Sequence, residues 1–210
     1  MSDETILALG AESKIVRITR LDQPFVLKIR PKKSYLLPEI DNLLRSSRTV
    51  RECKTLTIAR TLGIPTPTIH SVDLQSYTIM MDYIEGQTLK DVLKKAGKDE
   101  IRKLCFRFGQ IIALLHKGDV VHGDPTSSNV IVGNDSKLWM IDFGLAEFNA
   151  TVEMKGVDLH LIRRAFETTH WDNQEIMLSA TIEGYRDVLG SKADLVLKRM
   201  EEIRERGRYH

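Results

Sequence analysis

The hydrophobic period of this chain changes once, at residues 82–86, and that single change limits the folds open to it. Before it, residues 5–9, 14–19 and 25–30 predict three short strands, with turns at Gly10 and near Asp22-Gln23-Pro24. In the third strand Phe25, Leu27 and Ile29 share one face, and Val26 and Lys28 share the other. A polar, basic stretch then leads to a helix predicted from about Arg48 to Leu62, stopped by Gly63 and Pro65. Glu52, Leu56 and Ala59 fall at i, i+4 and i+7 of that helix, so Glu52 shares a face with core positions. Residues 68–73 and 77–82 predict two further strands.

After Glu85-Gly86 the pattern is helical. Leu89, Val92 and Leu93 mark a short helix, and Leu104, Phe108, Ile111, Ile112 and Leu115 a long amphipathic one. Asn129 to Val132 and Lys137 to Ile141 predict a hairpin about Gly133-Asn134-Asp135-Ser136. Helices follow at about 157–167 and 173–189. A last one starts from Ser191, where Ser191 and Asp194 suggest a capping box and Leu195, Val196, Met200 and Ile203 form the apolar face. The expected division is 1–84, strand-rich, and 85–210, helical.

Composition excludes several alternatives. With 42% hydrophobic and 29% charged residues over 210 positions, the chain can bury a sizeable core, so disordered and low-complexity architectures do not apply. The longest apolar run, Ile111 to Leu115, is far short of a membrane span. Asp3, Glu4 and Glu12 near the N-terminus are the opposite of the basic region of a secretory leader. Cys53 and Cys105 have no paired spacing and the histidines no zinc spacing, so a cytoplasmic protein without disulfides or zinc is expected.

The chemistry concentrates after the long helix, in His122-Gly123-Asp124-Pro125-Thr126-Ser127-Ser128-Asn129 and, thirteen residues beyond Asn129, in Asp142-Phe143-Gly144. That order resembles the protein-kinase arrangement. A divalent metal on ATP phosphates needs hard oxygen ligands, here Asp142 and the Asn129 amide oxygen. A separate carboxylate, Asp124, is needed to orient an acceptor hydroxyl or water. Upstream, Lys28 ends a strand beside Val26, which is placed to lie over an adenine ring. Glu52 is the carboxylate that would fix Lys28 toward the phosphates. The turn Gly10-Ala11-Glu12-Ser13 stands where a kinase carries G-x-G-x-x-G and holds only one of those glycines. Met81-Asp82-Tyr83-Ile84 fits a hinge, with the Asp82 carbonyl and the Ile84 N–H toward the adenine edge. Each feature alone has a bland reading, such as a turn after a strand, a solvated lysine or a helix-surface charge. Their joint order on the required elements makes coincidence a poor explanation.

Two features depart from an ordinary kinase. Asp158 follows Asp142 by only sixteen positions, too few for a full activation segment, and no Ala-Pro-Glu occurs between them. Gly123 also stands where kinases carry an Arg that reads a phosphorylated loop. Loop phosphorylation is therefore not expected as a switch, and a macromolecular partner is expected to complete the C-terminal part.

Leu9-Gly10-Ala11-Glu12-Ser13, Arg48-Thr49-Val50-Arg51-Glu52, His122-Gly123-Asp124 with Ser128-Asn129, Val157-Asp158-Leu159, Ala165-Phe166, Thr169-His170 and Glu202-Ile203-Arg204-Glu205-Arg206-Gly207-Arg208 together resemble one family. It is that of the small atypical kinase/ATPase of the KEOPS complex, and the resemblance covers essentially the whole chain. Pro125 departs from the Leu expected there. The resemblance implies an α+β, minimal two-lobed protein-kinase-like fold with a truncated helical C-lobe and no full activation segment. It further implies Ser/Thr kinase and ATPase activity with ATP and Mg²⁺. The implied partners are the KEOPS threonylcarbamoyl-transferase subunit and other KEOPS subunits, in support of N6-threonylcarbamoylation of adenosine-37 of tRNA. Between Lys28 and Arg60 nine Lys/Arg oppose three Asp/Glu, and the last helix carries a basic ending. Such runs are commonly solvated faces. With the resemblance, Arg204, Arg206 and Arg208 become candidate tRNA phosphate contacts. Two rivals stay open, a RIO-type ribosome-maturation kinase and a catalytically idle scaffold. An aminoglycoside-kinase type would need a larger C-terminal lobe.

Overall fold

The computed structural model describes residues 4–207. Five strands form the first sheet: β1 (Thr5–Leu9), β2 (Lys14–Arg20), β3 (Gln23–Ile29), β4 (Ile69–Asp73) and β5 (Thr78–Asp82). They lie in the order β1-β2-β3-β5-β4, each neighbouring pair antiparallel. Helix α1 (Pro38–Thr61) is inserted between β3 and β4. Strand β6 (Gly86–Thr88) leads into α2 (Leu89–Leu93), and α3 (Lys98–Lys117) follows. Strands β7 (Val120–Val121), β8 (Val130–Gly133), β9 (Leu138–Met140) and β10 (Glu147–Phe148) frame the segments that carry Asp124, Asn129 and Asp142. Helices α4 (Val152–Thr169), α5 (Gln174–Leu189) and α6 (Lys192–Arg206) complete the chain.

Alternation explains the large sheet, where Val16, Ile18, Ile79 and Met81 are buried. The principal apolar cluster instead joins Leu56 and Ala59 of α1 to Phe108, Ile112 and Leu115 of α3, and these to Met177, Ala180 and Tyr185 of α5. Helices α3 and α5 approach backbone to backbone: a Cβ on Gly109 would lie 2.0 Å from the Thr181 carbonyl, and one on Gly184 1.9 Å from the Phe106 carbonyl. None of the described helices is long and apolar enough to cross a membrane. Both cysteines are free thiols, on α1 and α3.

The structure corrects several expectations. Helix α1 starts at Pro38, ten residues before the predicted Arg48. Ile40, Leu43 and Leu44 are exposed, so no core stripe marks its first turns. Pro38 in the first turn, with Glu39 and Asp41 at the positive end of the helix dipole, starts it instead. Helix α4 likewise starts earlier than expected, at Val152, capped by the Thr151 hydroxyl. The expected capping box of the last helix does not form. Ser191 is itself in the right-handed helical conformation and caps nothing, while Asp194 pairs with Arg186 at 3.1 Å. The buried face of α6 is Ala193, Val196, Leu197 and Met200, and Leu195 is exposed. The short strands β6, β7 and β10 were too brief to carry a period of their own. Strand β6 pairs with β8, and β10 with β7.

Candidate active site

Lys28 lies on β3, between Ile15 of β2 and Ile79 of β5, and is buried. Its ammonium donates to Glu52 Oε1 at 2.8 Å and to Asp142 Oδ1 at 2.6 Å. Glu52 is 1% exposed, on the inner face of α1, whereas the Asp142 side chain is 47% exposed. Burying a charge is tolerated only with a well-placed partner, and Lys28 has one on each side. Burial alone would raise the Asp142 carboxyl, but the Lys28 charge and hydrogen bond outweigh it and hold Asp142 below its ordinary value. Asp142 sits at φ 61°, a left-handed conformation that costs an L-residue of its type about 1 kcal/mol or more. Lys28 helps hold it there.

Asp124 and Asn129 form a second cluster. The Asn129 amide nitrogen donates to Asp124 Oδ2 and to the Asp124 carbonyl, both at 2.9 Å, which leaves its own Oδ1 without a donor among the described residues. The loop between them is closed by Thr126 N donating to the Asp124 carbonyl at 2.8 Å and Asn129 N to the Thr126 carbonyl at 3.0 Å. The two clusters meet through the backbone, because Ile141 N donates to the Asn129 carbonyl at 3.0 Å. The two carboxylates and the amide expected to serve metal and acceptor are thus carried on one tied framework.

Three groups brace this framework. His122 is fully buried, its Nε2 donating to the Ile141 carbonyl at 3.1 Å while Nδ1 accepts from Asp124 N at 3.3 Å, the pattern of a neutral imidazole. Gly123 takes φ +81°, and a Cβ there would stand 2.2 Å from the Leu145 carbonyl oxygen, so the position expected to hold Arg has room only for Gly. Asp158 on α4 accepts from His122 N at 2.7 Å and Gly123 N at 3.0 Å, with His116 Nε2 at 3.3 Å. His116 in turn meets the Tyr185 hydroxyl at 2.8 Å, and burial lowers its basicity. No local pattern assigned Asp158 this role, since its partners lie 35 and 36 positions away. A second missed residue is Arg30, which is buried two places after Lys28 and bonds Glu52 Oε2.

In the first turn Gly10 N donates to the Ser13 carbonyl at 2.9 Å. The Glu12 side chain turns to Arg48 of α1, whose hydrogen bond holds its carboxyl below the ordinary range. Lys33 bonds the Ala11 carbonyl. Val26 is half-buried opposite Met81, and Asp82 stands opposite Phe25. The Asp82 carboxylate accepts from Thr68 N at 2.8 Å and meets His70 Nε2 at 2.7 Å, while Ile84 is half-buried beyond it. Arg204 and Arg206, in the last turn of α6, pair with Glu201 at 3.5 Å and Glu153 at 3.0 Å. They are thus engaged on the protein's own surface. Arg208 lies outside the described residues. An open surface groove between α1 and Phe148, lined by Cys53, Lys54, Thr57 and Ile58, is largely apolar and contains none of these groups.

Comparison with known proteins places the chain in a family. The protein kinase domain family matches residues 3–185. The chain is 41% identical to the KEOPS complex subunit Bud32 of Pyrococcus abyssi, over 97% of this chain and 96% of that one. It is 37% identical to the probable serine/threonine-protein kinase BUD32 homolog of Archaeoglobus fulgidus, over 96% and 94%. It is 36% identical to the probable bifunctional tRNA threonylcarbamoyladenosine biosynthesis protein of Methanocaldococcus jannaschii, covering 98% of this chain but only 37% of that longer protein. With Lys28, Glu52, Asp124, Asn129 and Asp142 assembled on a kinase framework that lacks a full activation segment, this chain belongs to the protein kinase domain family and, within it, to the Bud32 family.

Proposed function

We propose that this chain is a Mg-ATP-dependent Ser/Thr kinase and ATPase that acts within KEOPS in tRNA threonylcarbamoyladenosine synthesis. The observation that carries the reading is Lys28 held between Glu52 and Asp142, with Asn129 tied to the Asp142 segment through Ile141. The donor set fits Mg-ATP. Lys28 and Gly144 both address Asp142 Oδ1, so Oδ2 has no donor among the described residues, and Asn129 Oδ1 has none either. Two free hard oxygens suit Mg²⁺, and an ammonium suits the α/β-phosphates. Bound Mg-ATP would supply the transferable phosphoryl group and the metal charge that neutralises it. Asp124 would orient a water or Ser/Thr hydroxyl and take its proton. Val26, Asp82 and Ile84 would face the adenine, and the Gly10–Ser13 turn would cover the phosphates. Residues 1–84 would grip the nucleotide and residues 85–210 would present the catalytic loop.

The Methanocaldococcus relative supports a working partner. That protein is named as a probable bifunctional tRNA threonylcarbamoyladenosine biosynthesis protein, and this chain spans about a third of it. The partner proposed here is the KEOPS threonylcarbamoyl-transferase subunit, in the cytoplasm, with Arg204, Arg206 and Arg208 offered to tRNA phosphates. Reaching RNA would require Arg204 and Arg206 to exchange Glu201 and Glu153 for phosphate, a change open to exposed pairs of small net worth.

The test is Mg-ATP turnover by wild type and Asp124→Asn, alone and with the transferase subunit and tRNA. Turnover that needs Asp124 and rises with those additions supports the reading. Turnover indifferent to both additions points to a free-standing or RIO-like kinase, and none under any condition to a scaffold. Deleting residues 204–210 should weaken the tRNA effect and leave nucleotide affinity unchanged, and an undiminished tRNA effect would remove the tail from the account.

A further inference from the structure

We infer that Arg30 is a positioning residue for nucleotide binding: it fixes helix α1 and the Glu52 carboxylate so that Lys28 is held in one geometry. The inference rests on the reading of Lys28 and Glu52 as the nucleotide-gripping pair. Lys28 and Arg30 are two residues apart on one face of the chain leaving β3, so they present two cations spaced by about 6.6–6.8 Å along the strand direction. Glu52 divides its oxygens between them, Oε1 to Lys28 at 2.8 Å and Oε2 to Arg30. All three side chains are at most 5% exposed. A Lys28–Glu52 pair alone would leave Oε2 buried without a donor and the carboxylate plane free to turn.

Arg30 also reaches Thr49 Oγ1 at 3.4 Å through Nη1. Thr49 and Glu52 are three residues apart, on one face of α1. A planar guanidinium that holds both restrains the helix against rotation and against sliding along its axis. The same group backs the Asp-Phe-Gly turn, because a Cβ on Gly144 would stand 3.0 Å from Arg30 Nη2. One side chain therefore bonds the end of the strand that carries Lys28 to the helix that carries Glu52 and lies against the turn that carries Asp142. Kinases control catalysis through the placing of this helix and this turn, commonly by activation-loop phosphorylation. Ten residues lead here from Asp142 to the start of α4, and Gly123 stands beside Asp124. A permanent internal cation does the placing instead.

The experiment is a double-mutant cycle on the Mg-ATP dissociation constant, measured by calorimetry on the full chain. Arg30→Met should weaken binding about tenfold, the scale of one charge-assisted contact. In a Glu52→Gln background the same change should cost less than about twofold, because Arg30 acts through Glu52. A merely destabilised protein would lose binding stoichiometry and keep its dissociation constant. An equal loss in both backgrounds, or no loss in either, would overturn the inference. Where circular dichroism finds Arg30→Met unfolded, Arg30→Lys takes its place in the cycle. A loss of about threefold that vanishes beside Glu52→Gln supports the inference, and an equal loss in both backgrounds, or none, sinks it. Lys28→Met is the control: unaltered Mg-ATP affinity in that variant would instead overturn the nucleotide-site reading itself.

Discussion

Replacing Asp158 by Asn changes one atom's chemistry and nothing of its shape, which makes it a sharp probe of how the loop at His122 and Gly123 is held. The carboxylate is 1% exposed and receives two backbone N–H groups and one imidazole N–H, at 2.7, 3.0 and 3.3 Å. All three are donors. An amide in the same place keeps one oxygen and turns an NH₂ toward the others, so in either flip a backbone N–H meets a donor. A hydrogen bond to a charged group contributes about 1.5–3 kcal/mol, and a buried donor left unsatisfied costs about 1–3 kcal/mol. One bond lost and one donor stranded give a predicted destabilisation of about 2.5–6 kcal/mol, a fall of about 5–24 °C in Tm for a chain of this size. Urea unfolding followed by circular dichroism reads the free energy directly. Asp172→Asn, at an exposed position, is the control and should stay within about 0.5 kcal/mol of wild type. A change below about 1 kcal/mol for Asp158→Asn would refute the claim that this carboxylate holds the loop.

Other consequences are open to measurement. Gly123→Ala should cost about 2–4 kcal/mol, the sum of a left-handed φ and a Cβ driven against the Leu145 carbonyl. An urea midpoint equal to wild type would contradict that geometry. Asp142 titrates below its ordinary value of 3.8 in the folded chain, so its contribution to stability is present above that value and lost as pH falls through the lower folded one. Wild type should therefore be more stable than Asp142→Asn at neutral pH, and the two should converge under acid below about pH 4. A difference that persists or grows there would show that Lys28 does not hold the carboxyl down.

Much of the site was legible because kinase chemistry demands particular residue types in a particular order. Lys28 on a strand, Glu52 on the inward face of the next helix, and Asp124, Asn129 and Asp142 around a hairpin each had a local signal. What stayed hidden depends on distant partners. Arg30 lay inside a basic run and looked like one more solvated cation, and only the fold brings Glu52 to it. Asp158 carried no periodicity of its own. Gly123 was legible as the loss of an Arg, but not as a position where the Leu145 carbonyl leaves no space for a Cβ. The early start of α1 escaped because its first turns expose Ile40, Leu43 and Leu44 and so imitate a loop. Ser191 offered the composition of a cap without the extended backbone that a cap requires.

The central claim is that Lys28, Asp142 and Asn129 form one Mg-ATP site, and calorimetric titration of ATP tests it most directly. The titration is run with wild type, Asp142→Asn and Asn129→Ala, each with Mg²⁺ and with EDTA. The account predicts that wild type binds ATP more tightly with Mg²⁺ than without, and that both variants lose this Mg²⁺-dependent gain while their unfolding stays cooperative. ATP affinity in wild type that is the same in Mg²⁺ and in EDTA, or a full Mg²⁺ gain in both variants, would contradict it.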